Sequence, residues 1–216
     1  MKQIDIVDLG LMNYREAYAV QKETHLKRQR GEVNDTLIFV EHPSVITVGR
    51  AHKKSDIVNP DVLKSKKVPF ITIDRGGGAT CHGPGQIVIY PIIDLKVFGR
   101  DIRFYLDKLE AVFVELLNRY SLKARTLSAQ RGIWVGDRKV VSIGIGISKW
   151  ITFHGAALNV DMDMWLFSLI MPCGFNPEIM TSMCKLLNKK PDNAKIKKEL
   201  AEIFMVVFNR AYNSKN

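Results

Sequence analysis

Apolar residues alternate with polar ones, or run in short apolar stretches, at residues 3–8, 36–41, 45–48, 70–74 and 87–93, and longer β-rich tracts follow at 132–147 and 150–160. Each reads as a strand. A rhythm of three to four residues marks 13–29, 101–120, 177–188 and 193–212 as helices. In the second, Phe104, Leu106, Leu109, Val112, Phe113 and Leu116 recur at helical spacing behind Asp101, a good N-cap residue. Strands and helices do not alternate regularly, so the pattern predicts an α+β fold and not a doubly wound sheet. Tract 132–147 reads as a hairpin turning at Gly136-Asp137-Arg138, with Lys139 opening the return strand. Counting by twos puts Lys139 on the face of Val141, Ile143, Ile145 and Ile147. A lysine there either snorkels to water from the strand end or, if desolvated, has its pKa lowered and becomes usable as a base.

Composition narrows the class. The 216 residues are enough to bury a core without staples, and no repeat, low-complexity tract or linker divides them, so 1–216 are expected to form one domain. Apolar residues at 46% and charged residues at 25% are ordinary for a globular protein. Asp5, Asp8, Arg15 and Glu16 interrupt the amino-terminal stretch where a signal peptide needs an apolar run, and no tract is long enough for a bilayer. The expectation is a cytoplasmic protein without membrane attachment. Cys81, Cys173 and Cys184 have no metal-ligand spacing, so no metal is expected.

The net charge of +10 points to an acidic partner. Lys185, Lys189, Lys190, Lys195, Lys197 and Lys198 interleave with Leu186, Leu187, Ile196 and Leu200, the pattern of a solvated helix face. No nucleic-acid motif accompanies them, so no nucleic-acid partner is expected.

Candidate chemistry sits in three glycine-bearing segments. RGGGATCHGPGQ, residues 75–86, carries five glycines around one histidine. It is not a phosphate loop: it lacks a Gly-Lys-Ser/Thr ending, and a strand follows it instead of a helix. His154-Gly155-Ala156-Ala157 repeats the histidine–glycine pairing, and Pro172-Cys173-Gly174 sets a thiol on a corner. Asn176, Pro177 and Glu178 then suit a helix start, whose positive dipole end would favour a thiolate at Cys173. Cys173 is therefore the best nucleophile candidate, and Cys184, spaced with Leu187 on an apolar face, reads as packing.

In chain order the sequence also carries Glu41-His42-Pro43-Ser44 with Thr47 and Gly49, Arg75-Gly76-Gly77, residues 80–86, Tyr90-Pro91 and Asp94-Leu95. Lys139 with Ser142-Ile143-Gly144, His154-Gly155 with Leu158-Asn159-Val160, Pro172-Cys173-Gly174 and Thr181-Ser182 follow. This ordered set resembles the octanoyltransferases of lipoate biosynthesis. The resemblance implies a mixed sheet wrapped by helices, the fold shared with lipoate and biotin protein ligases. It implies transfer of octanoate from octanoyl-acyl carrier protein to a lysine of lipoyl domains, those of 2-oxoacid dehydrogenase complexes or the glycine cleavage H protein, without a cofactor. The implied catalytic pair is Cys173 and Lys139. The implied acyl pocket comprises Arg75, Gly76, Gly77, Gly78, Ala79, Thr80, Cys81 and His82, then Ser142, Ile143 and Gly144, then Gly155, Ala156 and Ala157. His82 and His154 are read as organisers of the site or as structural residues. One departure stands out: Cys81 occupies a position where the resemblance implies tyrosine, which would remove an aromatic wall from the pocket.

Three alternatives compete, one of them a family member that has lost activity, with Cys81 as a symptom, against which both catalytic positions are filled. An ATP-dependent lipoate or biotin ligase on the same fold would not need the Pro-Cys-Gly corner paired with Lys139. A basic nucleic-acid-binding module would explain the lysine-rich tail but neither the glycine loop nor the histidine–glycine segments.

Overall fold

The computed structural model describes residues 3–58, 60–127, 130–172 and 176–213. Its strands are β1 (Ile4–Leu11), β2 (Asp35–Glu41), β3 (Val45–Val48), β4 (Phe70–Thr72), β5 (Ala79–His82), β6 (Gln86–Ile92), β7 (Ala124–Leu127), β8 (Gln130–Val135), β9 (Arg138–Ser148) and β10 (Ile151–Asn159). The α-helices are α1 (Tyr14–Arg30), α2 (Pro60–Ser65), α3 (Ile102–Arg119), α4 (Met183–Leu187) and α5 (Asn193–Asn213). Seven strands form one sheet in the order β1-β2-β6-β10-β9-β8-β7, and β4-β3-β5 form a second. β1 pairs with β2 and β3 with β4 in parallel, while the other pairings are antiparallel. The result is the expected mixed sheet with helices against it.

The apolar runs of β2 and β6 explain why both faces of the large sheet are covered. Leu37, Phe39, Ile87 and Ile89 join α3 and α5 in the main core. The intervening Ile38, Val40, Val88 and Tyr90 pack with Ala17 of α1 on the opposite face. A strand buried on both sides needs such continuous apolar sequence, because successive side chains point oppositely. The small sheet has its own core, in which Ile46, Val48, Ala79 and Cys81 meet Leu63, Leu166, Phe167 and Ile170.

Several expectations change in detail. The hairpin turn is Gly136-Asp137, with Arg138 already paired to Val135, so Lys139 is the second residue of β9. Ile133 pairs with Val141 but Trp134 with Lys139, so a bulge at β9 breaks the period-two count that aligned Lys139 with Val141. The predicted helix 177–188 is two elements: a 3-10 turn, Pro177–Ile179, and then α4. Between them Met180 is extended and pairs with Lys139, Thr181 N–H donates to Lys139 O at 2.9 Å, and Ser182 caps α4. Pairing with β9 outcompetes the local helical rhythm there. The sequence reading left out α2, β5 and β7; β5 is hidden within the glycine loop, and neither α2 nor β7 stands out as a patterned run.

Candidate functional site

The two sheets are stitched together where Gly76 N–H donates to Ile145 O at 2.9 Å, and a cavity of about 460 Å³ opens at this seam. The glycine loop and β5 supply Arg75, Gly76, Gly77, Ala79, Thr80 and His82 to its wall. β9 supplies Lys139, Ser142, Ile143, Gly144 and Ile145, and β10 supplies His154, Gly155, Ala156 and Ala157. Tyr14, Val88, Tyr90, Leu106, Gln130, Arg131, Pro172 and Met180 complete it. Small residues at the middle of β9 and β10 leave room for a slender apolar guest, while polar groups gather at the margins.

Two residues expected in the pocket are not on its wall. Gly78 contributes its carbonyl, which accepts from Gly49 N–H at 3.1 Å. Cys81 is fully buried in the core of the small sheet, and burial pushes its thiol pKa up. The alternation along β5 presents Thr80 and His82 to the cavity and turns Cys81 away. The expectation that position 81 walls the pocket is thus corrected; aromatic surface comes from Tyr14 and Tyr90 instead.

Lys139 is only 7% exposed, so it does not snorkel to water. Its amino group donates to Arg131 O at 2.6 Å and lies 5.6 Å from the centre of the Trp134 ring. Room for its stem exists because residue 132 is glycine: at φ +125°, a Cβ there would overlap Lys139 Cε and Val141 O. The strand segment that receives Lys139 is itself pinned. Glu110 of α3, buried at 5% exposure, accepts from Arg131 Nη1 at 2.9 Å and from Gly132 N–H at 3.5 Å.

Arg75 is buried and builds the wall, not the solvent surface. It donates to Gly76 O at 2.9 Å and to Thr47 O and Oγ1 at 2.9 and 3.2 Å. His82 Nδ1 donates to Gln86 Oε1 at 2.7 Å, and Gln86 in turn donates to Asn159 Oδ1 at 2.8 Å. His42 Nδ1 donates to Met12 O and its Nε2 accepts from the Tyr90 hydroxyl, both at 2.8 Å. Burial lowers His42 to about 4 and His82 to about 3, so both rings are neutral at physiological pH.

His154 is the most constrained of the cavity histidines. Its backbone is left-handed at φ 55°, and its N–H donates to the buried Gln21 Oε1 at 2.9 Å. The ring stacks on Tyr18 with centroids 5.4 Å apart, and Nε2 donates to Asp74 Oδ1 at 3.0 Å. Tyr18 donates to the same oxygen at 2.6 Å. Desolvation lowers His154 to about 4 even beside that carboxylate. Burial pushes Asp74 up, but hydrogen bonds from Tyr18 and His154 bring it below its ordinary value. Because the carboxylate can only accept, the ring proton belongs on Nε2 and Nδ1 keeps its lone pair.

Cys173 and Gly174 lie outside the described residues. Pro172, the residue before Cys173, pairs with Ala79 and lines the cavity. Asn176 does cap, accepting from Glu178 N–H at 2.9 Å, but what it caps is the three-residue turn Pro177–Ile179. A turn that short has almost no macrodipole, so the helix-dipole argument for a thiolate lapses. Cys184 is only half-buried, and a hydrogen bond to Asp161 raises its thiol pKa. Gly132, Glu110, Asp74 and Tyr14 escaped the sequence reading; a signal existed only for Glu110, a lone carboxylate among the apolar positions of α3. Among the described residues no three His, Cys, Asp or Glu side chains converge on a metal site, and no helix is long and apolar enough to cross a membrane.

Comparison with known proteins agrees with this geometry. The family profile described as lipoyl protein ligase A/B catalytic domain matches residues 13–205. An octanoyltransferase from Desulforamulus reducens is 37% identical over 94% of this chain and 90% of its own length. One from Caldicellulosiruptor saccharolyticus is 39% identical over 97% and 91%. Among solved structures, a lipoate-protein ligase A bound with ATP superposes with a TM-score of 0.77 at 16% identity, covering 99% of this chain and 92% of that one. The biotin protein ligase of Aquifex aeolicus gives 0.55 at 11% identity, covering 99% and 72%. These remote structures share the fold, whereas the sequence relatives share the activity in their names. The chain belongs to the lipoyl protein ligase A/B catalytic-domain family, among its octanoyltransferases, and is an acyltransferase of octanoyl groups in protein lipoylation.

Proposed function

We propose that this protein takes octanoate from octanoyl-acyl carrier protein, holds it as a thioester on Cys173, and passes it to a lysine ε-amine of a lipoyl domain. The acceptor belongs to a 2-oxoacid dehydrogenase complex or is the glycine cleavage H protein. The observation that carries this reading is Lys139, a buried amine on the wall of a largely apolar cavity that Pro172, next to Cys173 in the chain, also lines. The acyl chain lies against Ser142, Ile143, Gly144, Gly155, Ala156 and Ala157, with the glycine loop from Arg75 opposite.

A free thiol titrates at about 8.5 and needs help to act as a nucleophile at neutral pH. Lys139 takes the Cys173 proton as the sulfur attacks the donor carbonyl. One carbon–sulfur bond forms, the bond to the carrier breaks, and the proton leaves on the carrier's thiol. The acceptor amine then attacks the acyl-enzyme. The amide bond forms, the bond to Cys173 breaks, and the proton shed by the amine returns to the sulfur through Lys139. His154 and His82 hold the cavity wall around the chain. The donor is already activated, so no nucleotide is consumed.

Intact-protein mass spectrometry after mixing with octanoyl-acyl carrier protein, without ATP, tests the reading. The expected result is one octanoyl increment, mapped to Cys173 and discharged by a lipoyl domain. No increment, with transfer from free octanoate only when ATP is supplied, would replace it with a ligase mechanism.

A further inference from the structure

A second concavity, of about 580 Å³, lies on the far edge of the small sheet, away from the acyl cavity. Ile57, Pro60, Leu63, Val68 and Phe70 form its apolar floor, and Lys64 and Lys67 stand on its rim. Phe70 is 43% exposed, and Val58 beside the groove is 44% exposed. Residues 50–67 hold six basic side chains against two acidic ones. One of those acids, Asp56, is buried and accepts from Lys53 N–H, which leaves Asp61 alone to oppose the rim. Lys64, Lys66 and Lys67 are exposed and form no ion pair among the described residues. An apolar floor flanked by the unpaired cations of Lys64 and Lys67 fits an acidic surface that carries an apolar anchor side chain.

The groove connects to the acyl cavity through a few residues of backbone. Ile57 pairs with Ile170, Val58 N–H donates to Leu169 O at 3.0 Å, and Met171 N–H donates to Asp56 O at 2.8 Å. Pro172 then pairs with Ala79 at the cavity wall. The groove borders β4 and the cavity borders β5, two strand spacings apart, which is about 10 Å. This distance chooses between the two protein substrates. An acceptor lysine has only a short four-carbon stem and must bring its own domain to the cavity mouth. A carrier that presents its acyl group on a long flexible arm can dock to the side and still reach in.

We infer that the groove between α2 and β4 is the docking site for the acidic carrier domain of the acyl donor. This rests on the proposed carrier-to-lysine transfer. The test compares the wild type with Lys64→Glu/Lys67→Glu and with Phe70→Ser, using three readouts. These are kcat/KM for octanoyl-acyl carrier protein, kcat/KM for the small thioester octanoyl-pantetheine, and KM for a lipoyl domain. The double charge reversal should lower the carrier value by roughly tenfold or more and flatten its salt dependence, while the small thioester and the acceptor KM stay within about twofold. Phe70→Ser should act in the same direction through loss of the apolar floor. An unchanged carrier value would overturn the inference, and so would an equal fall with both thioesters. A rise confined to the acceptor KM would reassign the groove to the lipoyl domain. Wild-type protein inert toward both thioesters would instead sink the transfer reading, and the inference with it.

Discussion

At the scale of the residue, one buried amine is kept in place inside a strand pair by contacts from outside its own strand. Lys139 could be singled out in the sequence, because a lysine beside a run of aliphatics is unusual. What fixes it could not. The carbonyl that receives it, Arg131 O, is eight residues away across a turn, and Glu110, which pins that segment, comes from helix α3. Gly132 looked like an ordinary strand glycine, yet its missing Cβ is the space that Lys139 Cε occupies. Gly132→Ala should therefore force the lysine stem aside, in a backbone conformation that alanine resists. Under the proposed role of Lys139, octanoyl transfer should fall by about a hundredfold, the effect of an ångström-scale displacement of a reacting group. Single-turnover acylation followed alongside thermal unfolding would check this. A variant that unfolds normally and acylates at the wild-type rate would show that the position of Lys139 does not matter.

At the scale of the element, regularly patterned segments were legible and irregular or contested ones were not. β2, β3, β6, β10 and the three long helices fell where periodicity put them, because their burial is regular. The glycine loop read as an irregular stretch, but it contains β5, whose four residues, 79–82, each pair with β3. That same pairing hid the orientation of Cys81, since inside an assumed loop no alternation could be applied. The glycines of β9 and β10 differ in a way only the packed sheet reveals. A Cβ on Gly155 would overlap Ile89 O in the neighbouring strand, a backbone atom that cannot give way. A Cβ on Gly144 would stand 3.1 Å from both Arg75 Cδ and Gly76 O, a tight contact that a shift of a few tenths of an ångström relieves, unlike the overlap at Gly155. Gly155→Ala should cost about 1–3 kcal/mol of stability or more, as overpacking does. Gly144→Ala should keep most of its stability and narrow the cavity, so its loss should appear as weakened acyl transfer. Urea unfolding and transfer assays on the two variants would separate the effects; equal destabilisation would show that Arg75 is as immobile as the sheet.

At the scale of the whole molecule, three buried histidines at and beside the cavity tie stability to pH. His42, His82 and His154 are neutral in the folded protein, with pKa values near 4, 3 and 4, because burial disfavours the charged ring. Their hydrogen bonds to Met12, Gln86 and Asp74 pull the other way, and burial outweighs them. His42 and His82 are also only 5.6 Å apart, and charge on one opposes charge on the other. In the unfolded chain each ring titrates near 6.5. The folded values lie below the unfolded one, so as pH falls the unfolded state takes up protons first. The stability is therefore complete above about pH 6.5 and is lost as pH falls from there toward about 4. Each histidine that protonates only on unfolding contributes a slope of about 1.4 kcal/mol per pH unit inside that window. Three together approach about 4 kcal/mol per unit, against a total stability of about 5–15 kcal/mol for an ordinary domain. Asp74 acts in the same direction but only below its unfolded pKa of 3.8, outside the window. Urea midpoints measured at pH 7, 6 and 5 should accordingly fall steeply below pH 6.5, with proton uptake on unfolding nearing three by pH 5. A profile flat across that range would mean that the three rings are already charged or hydrated in the folded protein, and that their surroundings are wetter than their burial implies.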